Sequence, residues 1–229
     1  MLSDSFAYTK TGLFEDIIRW VLLFICQIFH PLWMGYQWKI FQGKSAMEPL
    51  NNWIEMLING VKLIIVNFVY LIIPIIVFIA SGGMAIISLF LSKPNDPVGI
   101  MSAVIALAVA IIVSLVVLFV FALLGTIANI RFARMDSFGE AFNFNAILEQ
   151  IRKIGWLSYI IALIVLFIVL LIAAIIAVVL FMILGIILAF IPFIGPFLFA
   201  LELLIVLILI GPFFGVWATK YITLIYDSV

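Results

Sequence analysis

Residues 154–201 read IGWLSYIIALIVLFIVLLIAAIIAVVLFMILGIILAFIPFIGPFLFAL, 48 positions without a Lys, Arg, Asp or Glu between Lys153 and Glu202. A helix needs about 20 apolar residues to cross a hydrocarbon core of about 30 Å. The run is too long for one crossing and must turn once. The turn is written into Ile191-Pro192-Phe193-Ile194-Gly195-Pro196, where two prolines and a glycine stop one helix and start another. β-Barrel strands would read as segments of about ten residues alternating in polarity. This stretch is continuously apolar, and in lipid a helix satisfies its own backbone donors and acceptors.

Uncharged runs also separate Arg19 from Lys39, Lys62 from Lys93, Asp96 from Arg131 and Glu202 from Lys220. Across 229 residues the chain is 68% hydrophobic and 10% charged, against about 25% charged in a soluble domain. Too little polar side chain is present to cover a water-facing surface. We read an all-α membrane protein, a bundle of about five transmembrane helices near 17–40, 61–91, 98–128, 155–190 and 197–219. Ser92 to Pro97 supplies a short polar turn. Several segments exceed the bilayer's requirement, which implies tilt or extension past the lipid. Pro74 and Pro212 fall inside spans, where each removes a helix hydrogen bond and predicts a kink.

Two polar stretches carry amphipathic helices, near 49–60 and 142–154. In the first, Leu50, Trp53, Ile54, Leu57 and Ile58 recur at helical spacing between Pro49 and Gly60; in the second, Phe144, Ile147, Leu148, Ile151 and Ile154 oppose Glu149, Gln150, Arg152 and Lys153. Such helices are expected at the membrane surface with the apolar face down; packing on neighbouring loops is the alternative. A third unit, Phe14, Ile17, Ile18 and Val21 beside Glu15, Asp16 and Arg19, resembles 148–156 too slightly to establish a repeat.

Lys and Arg concentrate in cytoplasmic loops. The amphipathic stretches and the C-terminal end hold Lys39, Lys44, Lys62, Arg131, Arg134, Arg152, Lys153 and Lys220, against Lys10, Arg19 and Lys93 elsewhere. A multi-pass protein of the cell membrane is expected, with the amphipathic stretches and C-terminus cytoplasmic. The first segment has two readings: a full crossing with the N-terminus outside, or a bend near His30-Pro31 that returns it inside. Trp53, Trp156 and Trp217 fall near predicted segment ends as interfacial anchors. The first apolar run lacks a small-residue cleavage site and passes into further membrane sequence, so it reads as a membrane segment rather than a signal peptide.

Three stretches carry a resemblance. Met34-Gly35-Tyr36 is followed by Lys39; Glu48-Pro49-Leu50-Asn51-Asn52-Trp53 leads to Asn59-Gly60-Val61-Lys62; and Ala141-Phe142-Asn143-Phe144-Asn145-Ala146-Ile147-Leu148 precedes the fourth span and, much later, the 191–196 turn. Together they resemble the largely archaeal integral-membrane family catalogued as domain of unknown function 4013, from about residue 14 onward. Asn51 and Asn52 stand where acids are expected, which weakens a charge-based role there. The resemblance implies a membrane location and a similar arrangement of spans, and supplies no activity.

The inventory of reactive groups is thin. Glu202 is the one formal charge inside the last apolar region, and ionisable groups in spans mark ion or substrate paths or are satisfied by neighbours. His30 precedes Pro31 and reads as a structural residue at a bend. Asn67 and Tyr70 are expected to line a polar seam with Asn129, of the kind that glues helices at about 0.6 kcal/mol each. Gly211-Pro212-Phe213-Phe214-Gly215 has small-xxx-small spacing and a proline, for close helix approach or a kink. No phosphate loop, zincin pair or nucleophile elbow occurs, and Cys26 with His30 cannot make a protein-only metal site. No cofactor is expected, and a net charge of zero argues against nucleic-acid binding. The expected role is a non-enzymatic membrane module that binds lipid, or a partner membrane protein including a second copy of itself; the alternative is a transporter or permease component.

Overall fold

The computed structural model describes residues 1–91, 96–191 and 194–229, which form α-helices and, among the described residues, no strand. In order these are α1 (Leu2–Phe14), α2 (Ile17–Ile28), α3 (His30–Phe41), α4 (Trp53–Leu91), α5 (Pro97–Met135), α6 (Phe138–Ala141), α7 (Phe144–Ile154), α8 (Trp156–Ala189) and α9 (Gly195–Tyr226). Four of them, α4, α5, α8 and α9, are long and apolar enough to cross a membrane. At 39, 39, 34 and 32 residues they measure about 48–58 Å by helical rise, well over the hydrocarbon thickness. Of the turns expected at Ser92–Pro97 and 191–196, residues 92–95, Pro192 and Phe193 lie outside the described residues. Beyond the first turn, Asp96 accepts from Gly99 N at 2.9 Å and Pro97 opens α5, an N-cap and first-turn proline in sequence.

The long helices pair as two antiparallel hairpins, α4 with α5 and α8 with α9. Among the described residues the hairpins meet at one end. There the start of α4, the end of α5, the start of α8 and the end of α9 share a core of Leu63, Val66, Ile127, Phe132, Tyr159 and Ile225. At the other end the apolar faces stay uncovered, with Phe90, Phe190 and Phe197 strongly exposed.

The first apolar segment does not form one span. It breaks at Phe29 (φ −95°, ψ 81°) into α2 and α3 of 12 residues each, about 18 Å apiece and too short to cross alone. Pro31 sits in the first turn of α3, where a missing N–H costs nothing. Helix α3 turns back into the protein: Trp33, Tyr36, Trp38, Ile40 and Phe41 are all buried, and it touches α4, α5 and α9. Two glycines permit this. A Cβ on Gly35 would sit 1.8 Å from the Met56 carbonyl oxygen, and one on Gly60 would sit 1.7 Å from that of Pro31. Helix α2 instead turns Ile17, Ile18 and Ile28 outward.

The amphipathic stretches also differ from expectation. Gly60 does not end a separate helix over 49–60; α4 starts at Trp53 and runs through it, because Gly60 is a contact point with α3. Residues 49–52 are non-helical, and Asn52 takes a left-handed φ of 54°. In the second stretch α7 is a distinct helix, N-capped by Asn143 accepting from Ala146 N at 3.2 Å. Its Ile147 and Ile151 are fully buried against the bundle, while Phe144 and Leu148 are exposed.

Polar ties lock the joined end. Arg134 Nε donates to the last α3 carbonyl, Phe41 O, at 3.0 Å and its guanidinium pairs with Asp227 at 2.6 Å. Lys62 pairs with Asp136 at 2.9 Å, and Arg131 with Glu140. Lys39 Nζ donates to Pro49 O, Asn51 O and Asn51 Oδ1 at 3.0, 3.1 and 2.8 Å, filling its three donors and fixing the loop before α4.

Replacing Gly60 by Val should push α3 off α4 and cost at least about 1–3 kcal/mol, as overpacking against rigid atoms does. Thermal unfolding in detergent measures it, with Gly83→Ala as the control, since nothing lies within 4 Å of a Cβ there; equal melting of the two variants would refute the close crossing. The hydrogen bond from Arg131 holds the Glu140 carboxyl below the usual carboxylate range. A carboxyl with a lower pKa folded than unfolded stabilises the fold above its unfolded value, and that contribution is lost as pH falls through the folded value. Acidification through that range should lower the melting temperature of the wild type more than that of Glu140→Gln; parallel pH profiles would contradict the pairing.

Candidate intramembrane polar sites

Glu202 lies on α9 against α8, 7% exposed. Its Oε2 is buried with no hydrogen-bond partner, and a Cβ on the facing Gly185 would come within 3.8 Å of that atom. Phe181 and Phe199 pack ring to ring beside the same glycine, 5.0 Å between centroids. Gly185 makes room for the Phe199 ring, which would lie 2.7 Å from such a Cβ, and the carboxyl sits beside it between α8 and α9. This is the most demanding polar group in a span, because a buried carboxyl without a partner retains its full desolvation cost.

The polar seam between α4 and α5 is formed. Asn67 Nδ2 donates to Leu63 O at 3.0 Å, and Asn129 Nδ2 donates to Asn67 Oδ1 at 2.8 Å. The first bond fixes Asn67 Oδ1 as an acceptor and so fixes the second amide as its donor. Tyr70 departs from the seam: its hydroxyl donates to Ala141 O at 2.7 Å and its ring stacks on Phe142 at 5.9 Å. It couples α4 to the α6–α7 connection instead.

Beside the seam runs a groove on the outer face of the α4–α5 hairpin. One part, about 290 Å³, is lined by Asn67, Tyr70, Thr126 and Asn129 among others; the next, about 310 Å³, is lined by Pro74, Phe78, Ile111 and Leu115. Leu71 and Leu118 border both parts, so the two are continuous. Ser114 in the second part turns its hydroxyl onto Ala110 O at 2.7 Å, leaving an apolar lining. Pro74 brings no N–H to the Tyr70 carbonyl at the boundary between the parts.

His30 is exposed at the α2–α3 break, the first residue of α3. Trp53 and Trp156 are exposed first residues of α4 and α8. Trp217 is 4% exposed and stacks on Tyr221 at 6.0 Å, so its ring belongs to the core. Its chain position near a span end carries no information about which face of α9 it occupies. The Gly211–Gly215 pair does receive a neighbour: Cβ atoms there would fall 2.5 Å from Gln27 Oε1 and 2.7 Å from the Trp33 ring. Helix α9 continues through Pro212, and Trp20 Nε1 donates to the Leu209 carbonyl one turn before it at 3.1 Å. Gln27 and Trp20 carry no sequence signal for this role, because their contacts are 184 or more residues away in the chain. Lys39 was legible only as a basic residue; burial pushes its ammonium below the usual lysine range.

Neither the curated proteins nor the solved structures contain a match to this chain. A family model does match, over residues 19–182, which includes α3, both helices of the first hairpin, α7 and most of α8. The chain belongs to the family described as "Protein of unknown function (DUF4013)".

Proposed function

We propose that this protein is a non-enzymatic module of the cell membrane that binds lipid or a partner membrane protein through the open half of its bundle. The observation that carries the reading is the asymmetry of packing. One end is closed by a core, a returned helix and ion pairs, whereas only 6% of the most apolar window of α5, and the same share of α8, is buried within the chain. Such faces must meet hydrocarbon or another apolar surface. The closed, basic end lies in the cytoplasm on this reading, following the distribution of Lys and Arg. Helix α7 rests at the boundary with Phe144 and Leu148 toward lipid and Arg152 and Lys153 toward water, while Ile147 and Ile151 hold it to the bundle.

Glu202 favours a second reading, a transporter or permease component, since a buried carboxyl in a span is a feature of ion paths. A driving ion normally needs further acids around it, and among the described residues Glu202 is the one buried acid.

Native mass spectrometry in mild detergent should find the wild-type protein carrying lipid or a second polypeptide; a bare, stable monomer would overturn the module. In reconstituted vesicles under a proton or sodium gradient, no flux is expected that Glu202→Gln abolishes. A flux lost in that variant would establish the transporter reading.

A further inference from the structure

We infer that the groove on the α4–α5 hairpin is a binding site for one membrane glycerolipid, an acyl chain in its apolar part and the ester-linked glycerol at the Asn67–Asn129 pair. The inference rests on the lipid arm of the proposed function and gives it a place.

The groove changes chemistry along its length in the order a lipid does. Nearest the closed end stand two side-chain amides and the Thr126 hydroxyl; beyond Leu71 and Leu118 the lining is Pro74, Ile75, Phe78, Ile111 and Leu115. Depth agrees with the assignment. Asn67 is five residues from Lys62 on α4 and Asn129 two from Arg131 on α5, about 7 Å and 3 Å along the axes. Both charges are bonded to acids of the closed end, Asp136 and Glu140. The amides therefore lie just inside the level of the charged groups, where ester linkages sit, and the apolar part runs about 6–16 Å further along α4 and about 16–27 Å further along α5.

Hydrogen-bond accounting specifies the polar end. Each carboxamide nitrogen carries two hydrogens. One from Asn67 goes to Leu63 O and one from Asn129 goes to Asn67 Oδ1, which leaves a second hydrogen on each. The Thr126 hydroxyl donates to Ala122 O at 2.8 Å, and Asn129 Oδ1 is a buried acceptor with no partner. The site thus offers amide donors to ester carbonyl oxygens and carries no ion of its own, which fits a glycerol linkage better than a free carboxylate. In a bilayer a groove at this depth fills with hydrocarbon in any case; the amides select which lipid stays.

The test uses the full-length protein in phosphatidylcholine vesicles doped with a phospholipid bearing a chain diazirine, with adducts mapped by peptide mass spectrometry. Labelling across 71–78 and 111–118 should exceed that of α8 residues 172–176 at least about fivefold, the ratio given by ~1 kcal/mol of preference. The comparison is fair, because Leu71 and Ile111 (43% each) are no more exposed than Ile172 (51%) and Ile175 (54%). Leu115→Trp, filling the groove from a lipid-facing position, should bring the label down to the α8 level, and Ile75→Trp should do the same. Asn129→Leu should reduce it with the fold intact. Groove labelling equal to α8, or unchanged by both tryptophans, would overturn the site while leaving co-purified lipid to support the module. Preferential labelling by a diazirine fatty acid, with none by the phospholipid, would overturn the glycerolipid assignment.

Discussion

The backbone contact of α3 on α4, through Gly35 and Gly60, is the constraint on which the remaining architecture depends. Two helices approach this closely only where neither carries a side chain at the crossing. The approach brings a 12-residue helix into the space between α4, α5 and α9. Irregular backbone is tolerated at membrane depth only when protein or water surrounds it. At the break itself Phe29 and His30 stay exposed, and the Phe29 carbonyl is satisfied locally, accepting from Leu32 N at 2.9 Å. From this wedge, Gln37 reaches Thr219 on α9 at 3.1 Å, Arg134 of α5 caps the end of α3, and Lys39 holds the loop that leads into α4.

A bundle closed at one end and open at the other divides its labour physically. The closed end is packed with aromatic and branched side chains and crossed by ion pairs, so it sets the spacing of the two hairpins. The open end has few protein contacts of its own. Apolar helix faces in lipid gain nothing from one another beyond packing and occasional hydrogen bonds. Glu202 is the exception there, a buried acid on the outer part of α9 whose Oε2 has no hydrogen-bond partner.

Much of this was legible in the residues. The four long helices follow from uncharged runs bounded by charge and by Pro–Gly turns, and the Asn67–Asn129 seam from amides placed within apolar sequence. The returned helix was not, because a single uncharged run from Arg19 to Lys39 joins α2 to α3 as it would within one span. The signal present was Pro31, which favours the first turn of a new helix, and it left both readings open. The role of Gly60 is not legible locally, because a glycine that ends a helix and one that lets a neighbour approach look alike in sequence. The inward faces of Trp217 and Ile147 depend on tertiary neighbours far along the chain. Nothing local announces the groove, which exists only once α4 and α5 are paired.

The returned helix has one consequence for the whole molecule. If all four long helices cross and the first segment turns back, both termini lie on the same side of the membrane. Single cysteines introduced near residue 3 and near residue 228 in a Cys26→Ala background, probed in sealed right-side-out vesicles with an impermeant maleimide, report this directly. Both sites protected until the membrane is opened is the predicted result. Labelling of the N-terminal site alone in intact vesicles would mean that the first segment crosses in full, and would contradict the wedge.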